Sequence, residues 1–566
     1  MIESYVKYHC APNDKIIAQF HEWMTGSGLL YLKSEMPQVG CVFTTHATVL
    51  GRCIAGNNLP LYDKLKSYNP DTVSRNFNVI SKQSLEKLAA QEADSFTTVS
   101  DITAKECEQF LGKPVDIVTP NGFQDFIAND ENFAEQEKKG RNDLIKVAQA
   151  ILGRPIDNNA LLIGISGRYE FKNKGIDVFI EALGKLNKNK ALTREVVGFI
   201  LVPAGHHGPS KELLYNLQNN ISDRPLHNKY VTHDLNDEQY DPTMNAIRNN
   251  ELNNTNEDRV KIFFVPSYLN GTDGVFNVPY YDLLAGLDLA LFPSYYEPWG
   301  YTPLESVAFK VPTITTSLAG FGLWVKTHYK EERPGIAVIS RTDDNDAEVI
   351  SKIEGHVIRH ANYKEKEQLS VKENAYEVSK IALWDNLIYY YMKAYSDALA
   401  KVAERYDESD FITDIQTNYI PQMPQSVTPN WFNVIVHRNV PEKLKRLEEL
   451  AYNLWWCWNQ DAKELFESVD PVIWEKVYFN PIALLDSLNY QRYQQLENDA
   501  EFINRLDSVY SRFKAYMDLK NTQDGPTISY FCMEYGLHTS LKIYSGGLGI
   551  LAVSYTHLTL PTNSLV

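Results

Sequence analysis

Between residues 160 and 345 the chain alternates short apolar runs with amphipathic segments, and that alternation leaves few folds open. "ALLIGIS" (160–166), "EVVGFILVP" (195–203), "VKIFFVP" (260–266), "LDLALFP" (287–293), "VPTITTS" (311–317) and "GIAVIS" (335–340) read as buried strands. "GIDVFIEALGKL" (175–186) has apolar residues at helical spacing. Strands separated by helices predict an α/β fold, a parallel sheet with helices on both faces. Ligands of such sheets sit beyond the carboxyl ends of the strands. The first 123 residues repeat the pattern incompletely. "GCVFTTHATVLG" (40–51), "SFTTVSDITAKECEQFLG" (95–112) and "VDIVTPNG" (115–122) are strand-then-turn pieces and read as the latter part of a second sheet domain.

Charge narrows the partners. Lys and Arg number 55 against 72 Asp and Glu, a net charge of −17, which argues against nucleic acid. No run of 18 apolar residues predicts a membrane span, and "MIESYVKYHCAPNDK" has no secretory pattern. The six cysteines form no CxxC pair and are too sparse for a disulfide framework. Free thiols in a reducing cytoplasm are the expectation.

Residues 204–258 are polar and Asn-rich and read as an insertion; 364–404 read as helical. "YIPQMPQSVTPN" (419–430) reads as a linker. After it, "EKLKRLEELAYNLWWCWN" (442–459) carries a helical stripe of Leu444, Leu447, Leu450, Ala451, Leu454 and Trp458, and helical character continues to about 519. A short strand, "TISYFCMEYG" (527–536), precedes Gly-rich "SGGLGILA" (545–552).

Two stretches of the central domain carry chemistry. In "SGRYEFKNKGIDVF" (166–179), Arg168 and Lys174 lie in a strand-to-helix loop, where two cations can hold a diphosphate; the alternative is two solvated surface cations. In "SYYEPWGYTPLESVAFK" (294–310), Thr302 reads as an N-cap, Pro303 as the first helical residue and Glu305 as the end of a capping box. The N–H groups near Gly300, Tyr301 and Thr302 then form an anion site. Glu297 has no capping role. His206, His207, His227 and His233 cluster in the polar insertion without the spacing of a metal cage.

Taken together, "SGRYEFKNKGIDVFIEAL" and "FPSYYEPWGYTPLES" resemble glycogen synthase of the animal and fungal type. "AQFHEWMTGSGLL" (18–30), "VFTTHATVLGR" (42–52), "TVSDITAKECEQFLG" (98–112) and "TPNGF" (119–123) resemble the same family in the same order, so the likeness covers about 18–400. It implies two Rossmann-like domains facing a cleft, the GT-B arrangement, with the first domain truncated. It implies retaining transfer of glucose from UDP-glucose to the non-reducing end of an α-1,4-glucan such as glycogen, with no metal or other cofactor. Arg168 and Lys174 would grip the diphosphate, and the amides of Gly300, Tyr301 and Thr302 the distal phosphate. Glu297 would stand beside the transferred glucose, Glu305 would bind the ribose and His21 would contact the glucose from the opposite domain. Tyr280 falls where the family stacks an aromatic on uracil, with Tyr281 a close competitor. ADP-glucose as donor and an inactive glucan-binding scaffold are the alternatives. An assembly of identical chains is compatible with the family.

The family's arginine-rich sensor helix has no counterpart in "KENAYEVSKIALWDNLIYYYMKAYSDALAKVAER" (372–405), so its glucose 6-phosphate response is not expected. A second resemblance covers "RLEELAYNLWWCWNQDAKELFESVDPVIWEKVYFNPIALLDSL" (446–488) and "ISYFCMEYGLHTSLKIYSGGLGILA" (528–552), similar to the beginning of bacterial α-glucan phosphorylases. That family's pyridoxal phosphate lysine lies later than these segments. The expected organisation is a partial acceptor-side domain over 1–123, a nucleotide-sugar domain with closing helices over 124–404, a linker over 405–430, a helical phosphorylase region over 431–520, the start of a phosphorylase catalytic domain over 521–552 and a non-native tail over 553–566. The resemblances imply a fragment at both ends of a synthase–phosphorylase fusion, with the phosphorylase part inactive.

Overall fold

The structure is a computed structural model that describes residues 2–11, 14–125, 132–405, 440–518 and the backbone of 527–531. The expected linker, the Gly-rich 545–552 segment and the tail lie outside the described residues. The chain divides into two compact units, one spanning 17–405 and another that includes 440–518.

The first half of the 17–405 unit contains β1 (Ile16–His21), α1 (Glu22–Glu35), β2 (Val39–Thr45), α2 (Val49–Gly56), α3 (Ile80–Glu92), β3 (Ser95–Thr98), α4 (Asp101–Leu111) and β4 (Ile117–Val118). Strands β1 to β4 lie side by side in that order, and β2, β3 and β4 pair in parallel. Every residue of β1, β2 and β3 is buried. Side-chain caps start α2 and α4: Thr48 accepts from Gly51 N–H and Ser100 from Thr103 N–H.

The second half contains α5 (Phe133–Leu152), β5 (Leu161–Ser166), α6 (Ile176–Lys188), β6 (Val196–Leu201), β7 (Val260–Val265), α7 (Tyr280–Ala285), β8 (Leu289–Leu291), α8 (Tyr301–Ala308), β9 (Thr313–Thr316), α9 (Gly320–His328), β10 (Ile336–Ile339), α10 (Asp346–Ala361) and α11 (Glu365–Ser379). Its sheet runs β10-β9-β8-β5-β6-β7, all parallel. Both faces are covered, which is why β5, β6 and β7 are buried at every position. The chain builds outward from β5 through β6 to β7, then returns to lay β8 on the other side of β5. The reversal makes the carboxyl ends of β5 and β8 the topological switch point, where ligands of such sheets bind. The polar segment 204–258 contains a two-stranded antiparallel ribbon, His206–Pro209 with His233–Leu235.

Two crossings join the halves. At the crossing, Phe123 N–H donates to Ala382 O at 2.8 Å and Trp384 N–H to Phe123 O at 3.1 Å. Gly122 lies against the Trp384 indole, where a Cβ would come within 2.2 Å of the ring. Helix α12 (Trp384–Arg405) then packs back on the first half. Tyr395 Oη donates to Gln19 Oε1 at 2.6 Å. Asp94, 3% exposed, accepts from Lys33 Nζ at 2.7 Å, Cys41 N–H at 2.8 Å and Arg405. Two Rossmann-like sheet domains with a returning C-terminal helix constitute the GT-B architecture.

Residues 440–518 form a helical domain. Asp470, Asn480 and Asp499 each cap the helix that follows, and Pro471 and Pro481 occupy first-turn positions. Its core is aromatic, with Phe466 stacked on Trp474 at 6.0 Å and Trp456 edge-on to Trp474 at 6.1 Å. The expected continuous helix over 442–459 is broken. It runs only over Lys445–Ala451, after which Asn453 caps a 3-10 turn, Leu454–Trp458, that buries Trp455 and Trp456. Among the described residues, no helix is long and apolar enough to cross a membrane.

Candidate active site

Ser166 ends β5, and the loop after it carries Arg168 and Lys174. Arg168 is exposed and pairs with Glu170 at 3.0 Å. Lys174 turns inward; its ammonium pairs with the Glu297 carboxylate, and both side chains are about nine-tenths buried. Glu297 lies in the loop after β8. Thus the two loops at the switch point are joined by an ion pair. They are also joined through backbone, since the N–H groups of Tyr295 and Tyr296 both donate to Asn173 O, at 2.9 and 3.2 Å. Gly175 lets the first loop close: its φ is 73°, and a Cβ would lie 2.0 Å from Pro293 O.

Helix α8 begins differently from the expected capping box. Gly300, with φ 106°, holds the N-cap position and Tyr301 the first helical position, so Thr302 lies inside the first turn and caps nothing. The reason is non-local. Glu297 O and Trp299 O accept from Gly320 and Phe321 N–H, at 3.0 and 2.6 Å, which starts the turn two residues earlier. The first amides of α8 follow Glu297 directly in the chain and, as the unpaired N–H groups of a helix start, are donors for an anion. Glu305 is released from capping and accepts from Tyr281 Oη at 3.0 Å. Burial pushes its carboxyl up to about 7 against that hydrogen bond. Tyr281 lies flat on Phe309, ring centroids 4.8 Å apart, whereas Tyr280 bonds Ser166 Oγ through its hydroxyl at 2.6 Å. The two tyrosines therefore have separate anchors at the end of β5 and on α8.

From the first half, His21 ends β1 and is 3% exposed. Its Nδ1 lies 2.8 Å from His46 Nε2, and His46 keeps accessible surface. Burial pulls the His21 imidazole down to about 3; burial, then His21 and Arg52, hold His46 well below its usual range. His21 is thus largely buried against His46, the more accessible ring of the two. Glu22, at φ 62°, holds this loop by accepting from the N–H groups of His46 and Ala47 at 3.0 and 3.3 Å. Arg52, exposed one turn into α2, feels charges from both halves: desolvation opposes its charge, but Tyr296, Glu22, Glu170 and Glu106 hold its guanidinium above the ordinary range. Sequence reasoning passed over His46 and Arg52 although both stand in "VFTTHATVLGR"; the contact of His46 with His21 and the charges around Arg52 span the fold and leave no local signal.

His233 is used structurally, with Thr232 Oγ1 and Asp273 O each 2.8 Å from its ring nitrogens. Among the described residues, no group of three or more His, Cys, Asp or Glu is placed to hold a metal.

With this geometry in hand, the comparisons are specific. The glycogen synthase family matches residues 2–214 and 211–442. The chain belongs to the glycogen synthase family. It is similar to "Glycogen [starch] synthase" of Caenorhabditis elegans, 31% identical over 436 residues that cover 66% of this chain and 65% of that protein. It is similar to "Glycogen [starch] synthase isoform 1" of Saccharomyces cerevisiae, 30% identical over 449 residues, 67% of this chain and 63% of that protein. The chain therefore spans just under two thirds of the length of these relatives. Residues 440–541 match a family described as a protein of unknown function, DUF3417, which fits the phosphorylase resemblance of this region. Among solved structures, the N-terminal domain of Candida albicans trehalose-6-phosphate phosphatase aligns with TM-score 0.42 and 14% identity, over 70% of this chain and 72% of that one. The catalytic domain of Starch Synthase IV from Arabidopsis thaliana bound to ADP and acarbose aligns with TM-score 0.41 and 14% identity, over 68% and 73%.

Proposed function

We propose that this chain is a glycosyltransferase that moves glucose from UDP-glucose to the 4-hydroxyl at the non-reducing end of an α-1,4-glucan, with retention of configuration. The observation that carries the reading is the Lys174–Glu297 ion pair that joins the loops after β5 and β8 at one topological switch point, with Arg168 in the first loop and α8 starting from the second, in a chain of this family. Breaking the anomeric bond builds negative charge on the departing diphosphate and positive charge on the sugar. Arg168, Lys174 and the Gly300–Thr302 amides supply donors for the first. Glu297, a carboxylate already held against Lys174, stabilises the second. The acceptor hydroxyl attacks from the face that UDP leaves, and the leaving phosphate takes its proton. Glu305 and Tyr280 serve the nucleoside. His46, backed by His21, and Arg52 approach from the other half. The reading calls on no metal or cofactor.

The free state of Cys10, Cys41, Cys53, Cys107 and Cys457 supports a reducing, cytoplasmic setting. The match over 440–541 supports fusion to a phosphorylase of the same polymer, so that one polypeptide would carry opposed activities.

The test is UDP release from UDP-glucose with glycogen as primer. Primer-dependent release is expected, and ADP-glucose in competition sets the base preference. Glu297→Gln is expected to lower turnover about 100-fold or more while calorimetric UDP affinity stays within a fewfold. A large loss of UDP binding with normal turnover at saturation removes Glu297 from the sugar.

A further inference from the structure

Tyr295, Tyr296 and Glu297 form a strip with two sets of anchors. Its backbone belongs to the second half, through Asn173 O and through Gly320 N–H on Glu297 O. Both tyrosine side chains cross to the first half. Tyr295 Oη donates to Asp343 Oδ1 at 2.7 Å and accepts from Leu61 N–H at 2.8 Å. Asp343 in turn accepts from the N–H groups of Tyr62 and Asp63, at 3.1 and 2.9 Å. Tyr296, 3% exposed, donates to Glu106 Oε2 at 3.4 Å.

Glu106 is a fixed post. It lies on α4 at 1% exposure, and the same Oε2 accepts from Thr48 Oγ1 at 2.8 Å. It is pressed on the backbone of α2, since a Cβ on Gly51 would fall 2.0 Å from that oxygen. Thr48 is the N-cap of α2 and stands between His46 and Arg52. One buried carboxylate therefore touches the segment that carries the first half's site residues and the residue next to Glu297. Tyr296 is too buried to trade this contact freely for water, which makes a bond of 3.4 Å to Glu106 worth keeping.

We propose that Tyr296 and Glu106 are positioning residues that set Glu297 in register with His46 and Arg52, with the Tyr295–Asp343 contact as an outer clasp. The inference deepens the transferase reading and rests on it for its consequence in turnover. The geometry itself rests on no activity.

The experiment uses the full chain with Tyr296→Phe, Glu106→Gln and the double variant. Two quantities are read. The first is amide hydrogen exchange. Removing the Tyr296 hydroxyl is expected to lower protection together at 48–52 in the first half and 297–302 in the second; a change confined to 297–302, or none, overturns the link. The second is kinetics. Tyr296→Phe is expected to lower kcat at saturating donor about tenfold with UDP affinity by calorimetry within about twofold. The double variant is expected to be no more than about twofold worse than the worse single variant, because Tyr296 acts through Glu106, which also holds Thr48. Multiplying losses, or UDP affinity falling in step with kcat, overturns the positioning role. If the wild-type chain releases no UDP from UDP-glucose, the transferase reading fails, and the exchange experiment still decides the link.

Discussion

Gly175→Ala is the sharpest test of how the loop after β5 is held. Gly175 has φ 73°, and its missing Cβ would stand 2.0 Å from Pro293 O and 2.6 Å from Pro293 C. An L-residue in the left-handed region costs about 1–2 kcal/mol. A carbon placed 2.0 Å from backbone oxygen must move away by more than 1 Å, and forcing packed backbone apart costs about 1–3 kcal/mol more. The sum is a destabilisation of about 2–5 kcal/mol. Because Lys174 and Asn173 precede this residue, the displacement also moves the cation and the carbonyl that holds Tyr295 and Tyr296. The assay is urea unfolding followed by tryptophan fluorescence, with UDP affinity by calorimetry. Gly355→Ala is the control: this glycine lies within α10 with nothing within 4 Å of the added carbon, and the change is expected to stabilise by about 0.5–1 kcal/mol. If Gly175→Ala stays within about 0.5 kcal/mol of the wild type, the loop is not held as described.

Asp94→Ala leaves Lys33, Arg405 and the Cys41 N–H without their shared acceptor, and an expected loss of about 3–5 kcal/mol is read by the same urea titration; a loss below about 1 kcal/mol would mark the cluster as a surface pair. His21 sets a pH dependence. Its imidazole is held at about 3 in the fold against 6.5 ordinarily, so the folded state binds fewer protons between these values. Its contribution to stability is complete above pH 6.5 and is lost as pH falls toward about 3. In His21→Gln that acid limb flattens, measured as urea midpoints across pH; superimposable wild-type and variant profiles would refute it.

What was legible in the sequence follows from the range of the forces. β5, β6 and β7 are buried on both faces, so their residues are apolar apart from Lys261 and the terminal Ser166, and the strands stand out. The alternation with helices then delivered the parallel sheet. The start of α8 was misread because Thr-x-x-Glu is a local signal, whereas the turn is set by hydrogen bonds from Gly320 and Phe321, more than twenty residues on. The break at Tyr452 was hidden for the same reason: the spacing of Leu444, Leu447 and Leu450 is helical, but burying Trp455 and Trp456 against Phe513 and Phe466 takes a 3-10 turn. Lys174 and Glu297 could be named singly. Their pairing across 123 residues, and that of His21 with His46, belongs to the fold.

Helix α12 has a consequence for the order of events during synthesis. The helix that completes the first half, with Tyr395 on Gln19 and Arg405 on Asp94, is translated only after the entire second half. Until it emerges, the buried Asp94 carboxylate has Lys33 and the Cys41 N–H but lacks the Arg405 guanidinium, and the apolar surface that Ala394 and Ala398 cover is bare. The first half therefore cannot mature ahead of the second half in the way domains commonly do on the ribosome. It waits as an incomplete intermediate, and the step that ends its wait is the same step that ties the two halves together.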